Sequence, residues 1–123
     1  MTALASPLPR YGTFVFSNLC SERESGDVTG YRLVLHRMHS GDKLAFEYGN
    51  GPLERADVGD LRMDGEKLQA QATTADGKLN LEANLSEREA VVLAQFDYQE
   101  RAQIKPATLA RARGLSNRFP TCR

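Results

Sequence analysis

Between residues 67 and 85 the chain alternates apolar and polar positions almost without a break. Leu68, Ala70, Ala72 and Thr74 take turns with Lys67, Gln69, Gln71 and Thr73. After the turn Ala75-Asp76-Gly77-Lys78, the residues Leu79, Leu81, Ala83 and Leu85 alternate with Lys78, Asn80, Glu82 and Asn84. A period of two places successive side chains on opposite faces of a strand, so the pattern predicts a hairpin with one apolar and one wet face. Its register is strongly specified, because a slip of one residue would turn every apolar side chain to water.

The same period recurs in shorter runs. Residues 11–20 predict a first strand, with Phe14, Phe16 and Cys20 on one face and Tyr11, Thr13, Val15 and Leu19 on the other. Residues 29–38 group Tyr31, Leu33 and Leu35, and residues 43–49 group Leu44, Phe46 and Tyr48. Residues 53–63 form a weaker strand, interrupted by Gly59 and several acids. Residues 90–99 place Val92, Ala94, Phe96 and Tyr98 together, with Val91 and Leu93 opposite. Turn signals separate these runs: Ser25-Gly26-Asp27, Ser40-Gly41-Asp42, Asn50-Gly51-Pro52, Asp64-Gly65 and Asp76-Gly77. Asn-Gly and Asp-Gly supply the positive φ angles that tight hairpin turns require.

Two segments read differently. Ser86-Glu87-Arg88-Glu89 has the form of a capping box, but the apolar, β-branched run after it favours strand, so residues 86–89 are read as a turn. Pro106 opens Ala107-Thr108-Leu109-Ala110-Arg111-Ala112-Arg113, a run of good helix formers closed by Gly114, which predicts a short helix. The fold expected is therefore all-β and mainly antiparallel. It is a single domain over residues 1–123, an up-and-down meander of seven or eight strands forming a small barrel or strongly twisted sandwich. Residues 1–10 are expected to be a flexible N-terminus, and residues 106–123 a helix and tail tied back to the body.

Composition adds limits. Apolar residues make up 41% and charged residues 26% of 123, ordinary values for one globular core. No apolar run approaches the ~18 residues that a membrane-spanning helix needs. Net charge is zero but uneven. Residues 1–100 carry sixteen acids against ten bases, a balance of −6, and residues 101–123 carry six bases and no acid, a balance of +6. The basic tail is expected to dock on the acidic body. Only Phe119 offers it an aromatic partner, so nucleic acid is not an expected ligand.

Cys20 and Cys122 are the only cysteines. A bridge between them would close nearly the whole chain and stabilise it by roughly 4–5 kcal/mol on a chain-entropy basis. Such a bridge points to an oxidising compartment, periplasmic or secreted. Ala3-Leu4-Ala5 before Ser6 has the small-x-small form of a signal-peptidase site, which fits the remnant of a leader and a chance Ala-rich terminus equally well.

Catalytic chemistry finds little to work with. His36 and His39 stand three apart, a spacing that puts them on opposite faces of a strand and does not chelate a metal. No nucleophile motif surrounds Ser40 or Cys20, and no Gly-rich cradle awaits a phosphate. The acid pairs Glu22/Glu24, Asp57/Asp60, Asp64/Glu66 and Glu87/Glu89 flank turns, where carboxylates stay wet. No catalytic residue, metal or cofactor is therefore expected.

In strand count, size and an end-to-end cysteine pair, the chain resembles small exported bacterial β-barrels. That group includes lipocalin-like carriers and periplasmic lysozyme inhibitors; no motif carries the likeness, and no residue role follows from it. The expectation is a non-catalytic binding protein, an inhibitor or envelope accessory factor, with contacts on loops such as Gly49–Leu53 or Cys20–Gly30. The alternative is a carrier holding a small apolar ligand in space left by Ala70, Ala72, Ala83 and Ala94. Strands apolar on both faces, as at Phe14/Val15 and Val92/Leu93, point to a second covered surface.

Overall fold

The protein's structure is a computed structural model that describes residues 7–116 and 118–123. Its strands are β1 (Gly12–Ser17), β2 (Cys20–Ser21), β3 (Val28–Met38), β4 (Gly41–Gly51), β5 (Leu53–Asp64), β6 (Lys67–Thr74), β7 (Gly77–Leu85), β8 (Glu89–Phe96) and β9 (Ala107–Ala112). From β3 to β9 each pairs antiparallel with the next in sequence, and β1 pairs with both β3 and β9. Eight strands thus close into a barrel, and β2 adds to the β3 edge as the ninth. Closure leaves no long unpaired edge to recruit another chain.

The alternation read in the sequence sets which side chains enter the barrel. Leu33, Leu35 and Phe46 are completely buried, as are Phe16, Ala90 and Leu109, each at 0% exposure. Burying each large apolar side chain contributes about 1.5–3 kcal/mol. The inward alanines sit beside larger side chains. The register sets each opposite a larger partner: Leu68 faces Ala83, Ala70 faces Leu81, and Ala72 faces Leu79. Leu81 likewise faces Ala94, and Phe46 faces Ala56. Small against large fills the taper of a narrow barrel. The weak strand at 53–63 is real but bulged: the register shifts between Gly59 and Arg62, with Asp60 at φ +47°.

The expected C-terminal helix is not formed. Residues 107–112 are strand β9, and the one helical turn is a 3-10 piece at Arg101–Gln103. Ala and Arg favour helix locally, but the segment also alternates, with Leu109 fully buried and Thr108 and Ala110 exposed. As a strand it pairs with β8 on one side and β1 on the other. That satisfies two rows of backbone groups that a helix would leave open, and tertiary pairing outweighs a propensity of a few tenths of a kcal/mol per residue, about the usual scale.

Ser86–Glu89 is the expected turn: the Ser86 hydroxyl accepts from the Glu89 amide at 3.2 Å and donates to its carbonyl at 3.1 Å. The Ala3-Leu4-Ala5 site and most of the expected N-terminal arm lie outside the described residues. Of the remainder, Leu8 is buried in the core. Cys20 and Cys122 form the disulfide, with Cα atoms 4.9 Å apart across 102 residues of sequence.

Candidate functional site

In an up-and-down barrel successive connections fall at alternate ends. The β3–β4, β5–β6 and β7–β8 turns share one end with the N-terminal segment. The connections β1–β3, β4–β5, β6–β7 and β8–β9 share the other. At the first end Leu8 packs into the core, and Arg37 Nη1 donates to the Pro9 carbonyl at 3.2 Å. The Arg111 guanidinium lies 4.9 Å from the centre of the Phe14 ring and donates to the Glu87 carbonyl at 3.0 Å. This end is sealed by apolar and cation–π contacts.

The opposite end is built differently. Tyr48 is buried to 4% exposure, and its hydroxyl donates to Asp76 Oδ2 at 2.7 Å. Asn50 Nδ2 donates to the same oxygen at 3.2 Å. Thr74 Oγ1, which accepts the Asp76 amide at 3.0 Å, fixes the tight turn that presents this carboxylate. Phe96 meets Tyr48 edge-on at 5.7 Å, and Tyr98 stacks on Phe96 at 5.4 Å with an interplanar angle of 10°. Tyr98 is 69% exposed. Tyr31 stacks on Phe46 at 5.5 Å beneath this rim. Burial pushes the Tyr48 hydroxyl above its ordinary range, and the Asp76 carboxylate adds to the rise while Thr74 opposes it. Burial raises Tyr31 in the same direction. Both phenols therefore stay protonated at neutral pH.

Both signs of charge meet at this end. Its loops carry Glu22, Glu24, Asp27, Asp76, Asp97 and Glu100, six acids, against Arg23, Arg101 and Lys105, and the tail tied to Cys20 brings Arg118 and Arg123 beside the β1–β3 connection. Arg101 is already engaged, with two hydrogen bonds of 3.1 and 3.0 Å to the Glu82 carboxylate on the barrel wall. The result is an exposed aromatic step, backed by a buried one that the Asp76 carboxylate anchors, with further acids on the loops of the same end.

The other sequence candidates fall outside this rim or on its edge. His36 faces outward, its Nδ1 3.0 Å from Thr13 Oγ1, and His39 lies in the β3–β4 turn at the sealed end. The eight paired acids are all exposed, Glu22 and Glu24 at the open rim, Asp64, Glu66, Glu87 and Glu89 at the sealed end, Asp57 and Asp60 on the outer wall. Among the described residues, no three His, Cys, Asp or Glu side chains gather as a metal site would need. The loops singled out for recognition, Gly49–Leu53 and Cys20–Gly30, both reach the open rim. Sequence reading missed the parts Asp76 and Tyr98. The signal available was turn parity: every second turn of a meander arrives at the same end. No helix among the described residues is long and apolar enough to cross a membrane. No protein-family model, curated protein or solved structure matches this chain.

Proposed function

We propose that this chain is a non-catalytic, exported binding module that grips a basic protein through its open rim, as an inhibitor or envelope accessory factor. The observation that carries this reading is the Tyr98–Phe96–Tyr48 step, exposed at one end and anchored in the core at the other, at an end whose loops carry six acids. Tyrosine supplies large contact area at low entropic cost, and interface energy concentrates on such anchors. The surrounding carboxylates favour partners bearing Lys and Arg and speed their approach. A disulfide is compatible with periplasmic or secreted placement.

The carrier alternative gains nothing from the packing, because Ala70, Ala72, Ala83 and Ala94 face leucine or valine across the strands. The deciding experiment is capture from envelope extract by the immobilised native protein, beside its Tyr98→Ala variant. A basic protein held by the native chain, released by moderate salt and bound at least about tenfold more weakly by the variant, is the expected result. Equal capture by both proteins, or none by either, overturns the reading. A stoichiometric small molecule seen in native mass spectrometry would favour the carrier instead.

A further inference from the structure

The bridge stands outside the ladder that closes the barrel. Closure rests on the β1–β9 ladder, Val15 to Ala112, Phe16 to Arg111 and Ser17 to Ala110, together with the six-residue pairing of β1 and β3. Past Ala112 the chain leaves the wall and runs back over its outer face as a strap. Arg32, buried at 8% exposure on that face, donates from Nη1 to the Ser116 carbonyl at 3.0 Å, and its guanidinium lies 5.6 Å from the Phe119 ring centre. Ser21 donates its amide to the Pro120 carbonyl at 2.8 Å, and the Cys122 amide returns to the Ser21 carbonyl at 3.0 Å.

These contacts are thin. From Arg113 onward no described residue is buried; Phe119 and Cys122 are half-buried, and Leu115 is 65% exposed. A few polar contacts on exposed backbone do not offset the entropy of ordering such a segment. The strap is therefore held by its one covalent tie. Beneath it lies a cleft of about 510 Å³ lined in part by Leu19, Arg32 and Phe119.

We propose that Cys20–Cys122 is a redox latch: its reduction frees residues 114–123 and uncovers this face while the barrel stays closed. The reductant is a dithiol. One of its thiolates attacks a bridge sulfur and expels the other cysteine as thiolate. Its second thiolate then resolves the mixed disulfide, so that two electrons and two protons pass to the protein and the dithiol becomes a cyclic disulfide. Release strips Ser21 of two backbone partners, so the Glu22–Asp27 loop at the open rim loses its anchorage on one side. This inference does not depend on the identity of any rim partner.

The test is limited tryptic digestion of the full chain, oxidised and after dithiothreitol, with amide exchange followed in parallel. Cleavage after Arg113 and Arg118 should accelerate at least about tenfold on reduction, while exchange protection in β6, β7 and β8 persists. The Cys20→Ser/Cys122→Ser double variant should match the reduced protein without any reductant. Unchanged cleavage would show that the strap holds by itself. Loss of protection throughout the sheet would make the bridge a staple of the whole barrel. Either outcome overturns the latch.

Discussion

Both ends of this barrel are finished by hairpin turns of the same Gly- and Asp-rich kind, yet they close the interior in opposite ways. At the sealed end a leucine and two arginines turn inward, and the aromatic ring they cover, Phe14, is 4% exposed. At the open end the aromatics step outward until Tyr98 stands mostly in solvent. The sealed end spends its side chains on stability. Exposed apolar side chains occur at both ends, Tyr11 and Met38 at the sealed end and Tyr98 at the open one, and Tyr98 stacks on Phe96, which meets the buried Tyr48.

The contrast can be broken most forcefully at the sealed end. Phe14→Ala removes a buried ring and the surface on which Arg111 rests, and it should lower unfolding free energy by about 3–5 kcal/mol in urea titration. A cost below about 1 kcal/mol would mean that this end is not the stabilising one. At the open end Tyr48→Phe removes a single hydrogen bond to a carboxylate that retains Asn50 as a donor. About 1 kcal/mol is expected from the same titration.

The pH dependence sharpens the comparison further. Tyr31 and Tyr48 both titrate above their ordinary 10.0 in the folded chain, chiefly because burial penalises the phenolate. The unfolded chain therefore loses these protons first. Their contribution is intact below about pH 10 and is lost as pH rises through the folded values. Melting temperature should fall over that alkaline window, and fall less in Tyr48→Phe. An identical decline in the variant would assign the effect elsewhere. The smallest effect belongs to Tyr98→Ala, whose stability should stay within about 0.5 kcal/mol of the parent even as binding is lost.

Much of the wall was legible in the sequence, for a physical reason. Each inward set, such as Leu79, Leu81, Ala83 and Leu85, obeys a strict period, and burial enforces that period locally. Residues 107–112, Ala-Thr-Leu-Ala-Arg-Ala, satisfy both periods and so fit a short helix and a strand alike. Only the two strand edges waiting to be joined decide between them, and these are β8, nearby, and β1, nearly a chain length away. The hydrogen bond from Tyr48 to Asp76 was invisible for a related reason. It joins residues 28 apart through the barrel's curvature, and neither residue type is unusual where it stands. The cysteine pair was the exception, since two cysteines admit one pairing.

Every ladder but one in this protein joins segments close in sequence, so most of the wall can assemble from local pairings. The three-residue joint between β1 and β9 cannot, because its partners are the first and last strands made. Until those two strands meet, the sheet carries two raw edges, and joining them closes the longest loop of any ladder in the barrel.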